Sequence, residues 1–213
     1  MRWLPHGALP PRVSVIQREL DRFVRPRYLE IGVYSGTVLL NVRATYRVGV
    51  DPQPRIRRRQ LAVRPSLWAR LSIKEMTSDS FFAVSEEHFH VAFIDGLHTY
   101  SQALADTENA LDLLAPGGVV LIHDCNPTSP AAAAPDPTSA TGEGWCGEVW
   151  KAIVHLRATR PDLTVEVLDT DYGIGRVERA PSPVLGVDPS EIAGLDYSAL
   201  ERDRERLLGL RPA

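Results

Sequence analysis

The chain has 213 residues, of which 44% are hydrophobic and 24% charged. That balance excludes a disordered chain, a fibrous repeat and a disulfide scaffold, and the length suits one domain with a full core. The net charge of −3 conceals a split: residues 1–74 carry +11 and residues 75–213 carry −14. Such a split fits an anionic partner for one half, mutual neutralisation within one domain, or a subunit contact. No apolar run approaches the roughly 20 residues that cross a bilayer. Met1–Pro11 lacks the continuous apolar stretch of a signal peptide, so a cytoplasmic protein without membrane partners is expected. The two cysteines, Cys125 and Cys146, fit a reducing compartment, although a pair at the two ends of one loop can oxidise.

Val13, Ile16, Leu20 and Phe23 fall on one stripe and predict an amphipathic helix over Val13–Val24, within an N-terminal region of residues 1–25. Tyr28–Ile31 is a short apolar strand that runs into Gly32. A second helix is predicted after Ser35, and Arg47–Val50 is a second strand ending on Asp51. Pro52–Arg70 is basic and less regular, with a helix predicted after Pro54. His90–Ile94 is an apolar strand ending on Asp95, and Ser101–Leu114 is the clearest helix. Ala115-Pro116-Gly117-Gly118 breaks that helix, and Val119–Ile122 is a buried strand ending on His123-Asp124.

Cys125–Gly147 follows, with four prolines and the run Ala131–Ala134. A loop that long inside a domain is either functional or disordered, and both of its ends sit at the proposed site, so residues 125–147 are read as a candidate lid. Glu148–Arg160 reads as helix, Thr164–Leu168 and Ile174–Val177 as strands, and residues 180–213 as a tail with a helix over Tyr197–Leu208. Alternating strands and helices mark a parallel α/β sheet. Glu30, Asp51, Asp95 and Asp124 each stand at the end of an apolar strand, and ligands of open parallel sheets bind at that edge.

The first strand leads into Glu30-Ile31-Gly32-Val33-Tyr34-Ser35-Gly36. Gly32 permits a tight turn and Gly36 a close approach to a ligand. The spacing is E-x-G-x-x-x-G, not the G-x-G-x-x-G of pyrophosphate sites, and Glu30 suits a ligand with a cationic amino group and no phosphate. Asp51, about 20 residues on, stands where a carboxylate takes ribose hydroxyls, and Thr77-Ser78-Asp79-Ser80 can edge an adenine. A structural glycine turn in some other α/β protein is the competing reading.

The segment resembles motif I of the class I S-adenosylmethionine-dependent methyltransferases. The resemblance implies a Rossmann-like α/β fold over residues 1–213, with a mostly parallel seven-stranded sheet and helices on both faces. It also implies S-adenosylmethionine held by Glu30, Gly32, Tyr34, Ser35, Gly36, Asp51, Ser78, Asp79 and Asp95.

The second constellation is Asp95-Gly96-Leu97-His98-Thr99-Tyr100 with His123-Asp124. An Asp pair with a third ligand and waters suits a hard divalent ion such as Mg2+, which can bind a hydroxyl and lower its pKa. His98 is placed to remove that proton. Methyl transfer then depends mostly on positioning. Each residue also has a bland reading: strand-end Asp as a helix cap, His98 at a helix start, His123 in the core.

Phe93–Tyr100, Leu114–Gly118 and Ile122–Cys125 resemble the small metal-dependent O-methyltransferases acting on sugars, of the macrocin and mycinamicin type, and also mycobacterial polysaccharide methyltransferases. The resemblance spans about Tyr28 to Val177. It implies Asp95, His123 and Asp124 at the metal and His98 with Asp95 in catalysis, with His123 standing where those relatives carry Glu or Asp.

The expected acceptor is a small-molecule or oligosaccharide hydroxyl, and a homodimer is the base-rate assembly. A catechol-like phenol acceptor, a nicotinamide oxidoreductase and a cofactor-binding protein without turnover are the alternatives; the missing G-x-G-x-x-G argues against the second of these. His88 reads as solvent-facing. Trp145 and Trp150 either line an acceptor pocket or anchor the helix after Glu148. Arg55–Arg59 lacks the aromatic interleaving of a nucleic-acid site and is expected at the acceptor entrance or a subunit contact, away from the cofactor.

Overall fold

A computed structural model of the chain describes residues 9–57, 70–139 and 144–213. Five strands run parallel: β1 (Arg27–Ile31), β2 (Tyr46–Val50), β3 (Leu71–Lys74), β4 (Phe89–Ile94) and β5 (Leu114–Ile122). β7 (Ile174–Glu178) lies antiparallel to both β5 and β6 (Thr164–Leu168). The order across the sheet is β3-β2-β1-β4-β5-β7-β6-β8.

The sheet has eight strands where seven are expected, because β8 (Leu210–Arg211) pairs with β6. Gly209 takes φ +59 at the end of helix α5 (Tyr197–Leu208) and turns the chain back along the sheet. β5 also starts earlier than predicted: Ala115–Gly118 lies inside it, at a register shift opposite Phe89–Val91.

Helices cover both faces. α1 (Pro11–Leu20) and the buried Val38, Leu39 and Val42 pack with Tyr28, Val91, Phe93 and Leu121 on one side. α3 (Tyr100–Asp112), α4 (Val149–Thr159) and α5 pack with Leu29, Ala92, Val120 and Ile122 on the other. α2 (Ser78–Phe82) is a short helix after β3, capped by the Thr77 hydroxyl.

Two predicted helices differ. α1 stops at Leu20 instead of Val24, because Pro26 excludes a helical Arg25 and Val24 is left in solvent. The helix expected after Ser35 is replaced by turns, with Leu40 N–H on Gly36 O and Val42 N–H on Val38 O, both at 3.1 Å. Thr37, Val38 and Val42 are β-branched and the segment is short, so no longer helix nucleates. The helix predicted after Pro54 falls largely outside the described residues.

Ion pairs join the two oppositely charged halves. Arg12 meets Asp171 at 2.7 Å, Arg176 meets Glu19 at 3.0 Å, and Arg27 meets Glu87. The charge split is therefore neutralised at least in part within one domain. No helix among the described residues is long and apolar enough to cross a membrane.

Candidate active site

β1 and β4 are neighbours at the point where the strand order reverses, and the crevice beyond their carboxyl ends is where such sheets bind ligands. Ile31 pairs with Ile94, so Gly32 and Asp95 leave the sheet side by side, with Asp95 N–H on Ile31 O at 2.8 Å. Gly32 has φ +85, and a Cβ there would lie 1.9 Å from the Asp95 carbonyl oxygen. No side chain fits.

A cavity of about 400 Å3 opens at this point. Gly32, Tyr34, Asp51, Ser78, Asp79 and Asp95 line it together with Leu97, Gln102 and Asp106. The Asp51 carboxylate accepts the backbone N–H groups of Tyr34 and Gln53, each at 2.7 Å, which pins it at the end of β2. Gln102 Nε2 donates to Asp79 at 3.0 Å and to Asp106 at 2.9 Å, tying α2 to α3 at the far end of the cavity. Burial raises the Asp106 carboxyl. Gln102 and Asp106 went unnoticed in the sequence because they sit on the apolar-striped helix, where polar residues read as its solvent face.

Three of the predicted cofactor residues lie elsewhere. Gly36 packs against Ile56, and the Ser35 hydroxyl meets that of Thr37 at 3.0 Å. Glu30 is buried beneath the glycine loop, where it accepts the Tyr28 hydroxyl at 2.7 Å and the Leu39 N–H. Burial pushes its carboxyl up to about 8, so it is uncharged at neutral pH and supports the loop from below. A carboxyl raised on folding contributes stability that is complete at about pH 4.5 and lost as pH climbs through about 8. Glu30→Gln, which keeps an acceptor for Tyr28, is expected to flatten the decline in melting temperature between pH 5 and 8. An unchanged slope in thermal scans would count against a neutral Glu30.

Beside the cavity, Asp95, His98 and Asp124 offer ligand atoms within 4.8 Å of one another. His98 Nε2 lies 3.3 Å from Asp124 and 3.7 Å from Asp95. His123 Nδ1 lies 3.0 Å from Asp124 and 3.3 Å from Asp95, off the axis of a hydrogen bond. Burial raises the Asp95 carboxyl, but His123 and His98 outweigh it and hold the group well below the usual range. Burial lowers both imidazoles, and the carboxylates override it, Asp95 and Asp124 at His98 and Asp124, Asp171 and Asp95 at His123, so both are raised.

Two residues that the sequence reading missed extend this cluster. Arg12 Nη1 donates to Asp171 at 2.7 Å and lies 3.2 Å from His123 Nε2. Burial raises Asp171, yet His123 and Arg12 hold it down to about 2. Neither carried a signal: Arg12 is one of many arginines in its half, and Asp171 sits in the turn between β6 and β7. Asp124, Asp171, Tyr172 and Tyr34 all have positive φ, from 45° to 63°. The non-glycine backbone strain among the described residues thus gathers at this edge.

Residues 145–148 lie against the cluster. Trp145 stacks on His98 with ring centroids 4.8 Å apart, and its carbonyl accepts His98 Nδ1–H at 3.0 Å. Trp150, by contrast, is a core residue. Cys125 and Cys146 are buried free thiols, and burial pushes both up. His88 is exposed. The Arg55 guanidinium lies 5.2 Å over the ring of Tyr34, a residue that lines the cavity. Arg58 and Arg59 lie outside the described residues.

A larger cavity, about 530 Å3, lies between residues 130–135, α4 and the start of α5. Among its polar groups, Glu148 pairs with Lys151 at 2.7 Å and Asp196 caps α5. Trp150 lines it, but none of the residues of the first cavity or of the Asp95–Asp124 cluster does.

Residues 29–125 match the family model of a methyltransferase domain, a segment that contains the glycine loop and the Asp95–Asp124 cluster. Among curated proteins none matches at a significant level. Solved structures share the fold at low identity. One is the S-adenosylhomocysteine-bound methyltransferase PaMTH1 of Podospora anserina, at 21% identity and TM-score 0.61 over 79% of this chain and 77% of that one. Another is the O-methyltransferase TomG of Streptomyces achromogenes with bound S-adenosylmethionine, at 16% and 0.62 over 83% of each chain. A third is an O-methyltransferase of Bacillus cereus with bound S-adenosylhomocysteine, at 18% and 0.57 over 82% and 83%. The chain has the Rossmann-like α/β fold of these methyltransferase structures, and the match to the methyltransferase-domain model covers its residues 29–125.

Proposed function

We propose that the chain is an S-adenosylmethionine-dependent O-methyltransferase acting on a hydroxyl of a sugar, glycoside or polysaccharide precursor, assisted by a divalent cation. The observation that carries this reading is the position of Asp95. It lines the cofactor cavity and also belongs to the carboxylate–imidazole cluster next to it. Cofactor and acceptor would therefore meet at one residue, with most of the rate coming from alignment. The structures of similar fold that hold S-adenosylmethionine or its product lend the cofactor support.

Asp51, held by the Tyr34 N–H, would take the ribose hydroxyls, and Asp79, held by Gln102, would edge the adenine. Glu30, bonded to Tyr28 and Leu39 beneath the loop, would support it from below. Asp95 and Asp124, with His98 beside them, suit a divalent cation, for which the sequence expectation is Mg2+. Such an ion supplies Lewis acidity that lowers the pKa of a bound hydroxyl. Trp145, stacked on His98, closes one side of the cluster and would serve as part of a lid over it.

Calorimetry with S-adenosylhomocysteine and with NADH tests the cofactor: binding of the first alone is expected, and binding of NADH alone would overturn the reading. Incubation with S-adenosylmethionine and a panel of hydroxylated glycosides and phenols, with and without EDTA, tests the rest by product mass. A glycoside gaining one methyl only without EDTA is expected. Methylation of phenols alone would replace the acceptor class, and full turnover in EDTA would remove the ion.

A further inference from the structure

We propose that His98 is itself a ligand of the divalent cation, making with Asp95 and Asp124 a mixed nitrogen–oxygen site that selects a first-row transition ion over Mg2+. This rests on the cation-assisted reading above.

Trp145 presents a carbonyl oxygen, which only accepts, so His98 donates to it from Nδ1 and Nε2 is the nitrogen left to bind an ion. Nε2 is the atom turned toward Asp124, at 3.3 Å, and Asp95, at 3.7 Å. An imidazole nitrogen and two carboxylates facing one another call for a positive charge among them, and a bound cation would take the place of a proton on Nε2. The stacked Trp145 ring keeps the imidazole in that orientation, the task of an outer partner at a metal site.

A second observation points to the same place. His123 is 94% buried, its Nδ1 faces the same two carboxylates, and that nitrogen has no hydrogen-bond partner. A buried nitrogen left unpaired is costly, which suits a position that a ligand completes. Two carboxylates flanked by imidazoles are a poor match for Mg2+, which favours oxygen ligands and retains its waters. First-row transition ions accept imidazole readily. With its lone pair on the ion, His98 holds the cation and is not the proton acceptor that the sequence suggests.

Mn2+, the weakest binder of that series, is a demanding probe and is visible by electron paramagnetic resonance. The full chain, stripped with a chelator, would be titrated with MnCl2 and examined by pulsed resonance for modulation from a coordinated imidazole nitrogen. One bound Mn2+ with a nitrogen signal is expected, displaced by Mg2+ only at about a hundredfold excess. His98→Ala should weaken Mn2+ binding at least about tenfold and diminish the nitrogen signal. His98→Gln, checked by circular dichroism, serves if the alanine variant fails to fold. Bound Mn2+ whose nitrogen signal is absent, or is unchanged in a folded His98 variant, overturns the assignment while leaving the ion in place. Equal competition by Mg2+ does the same to the selectivity. Failure of the wild-type chain to bind any Mn2+ overturns the cation-assisted reading itself, and is told apart by the missing resonance.

Discussion

Gly32→Ala is expected to lower stability by about 4 kcal/mol and to abolish binding of S-adenosylhomocysteine. A side chain in the left-handed region costs about 1–2 kcal/mol, and at Gly32, with φ +85, that is the smaller part. The added Cβ would stand 1.9 Å from the carbonyl oxygen of Asp95. That atom belongs to the backbone where β4 leaves the sheet, so no rotamer change relieves the contact. β1 and β4 must part at their carboxyl ends, which opens the floor of the cofactor cavity. Losses above about 4 kcal/mol come from such backbone and packing faults. Urea unfolding and calorimetry read both effects. Gly194→Ala is the control, because its Cβ would meet nothing within 4 Å. An unfolding midpoint for Gly32→Ala equal to that of the control would sink the argument.

Asp124→Asn is expected to reduce kcat by about a hundredfold or more while leaving S-adenosylhomocysteine affinity within about threefold, since Asp124 is not part of the cavity lining. Asparagine keeps the shape, and it tolerates the φ of 60° that Asp124 adopts. What disappears is a negative charge 3.3 Å from His98 Nε2 and 3.0 Å from His123 Nδ1. Without it the cluster loses the attraction that favours a cation and a hydroxyl beside it. Initial rates from product mass and calorimetry on the same preparation check the two halves of the expectation. Retention of more than about a tenth of the wild-type kcat would place Asp124 outside the catalytic machinery.

Much of the architecture was legible because buried parallel strands read as continuous apolar runs. β4, β6 and β7 match their predicted ranges within a residue, and α5 matches Tyr197–Leu208 at both ends. Each acid at the end of such a run is delivered to one edge by topology alone, so Asp51, Asp95 and Asp124 could be named before any contact was known. The turns replacing the helix after Ser35 were not legible, because β-branched residues in a short segment carry the same apolar spacing as a helix.

The sequence by itself determined the strand edge, the glycine that only a strained turn requires, and the residue types gathered there. These follow from local properties, namely the period of burial, the chirality of the backbone and the spacing along the chain. The direction each side chain takes is a different matter. Glu30 ends a strand as Asp95 does, yet Tyr28 and Leu39 take it beneath the loop, away from the cavity. Trp145, 47 residues from His98 along the chain, accepts a hydrogen bond from its Nδ1, and Nε2 faces the carboxylates. Arg12 and Asp171 meet across 159 residues beside His123. Only the tertiary structure decides such matters, because a carboxylate or an imidazole takes its charge and its bonding from whatever distant groups the fold packs against it.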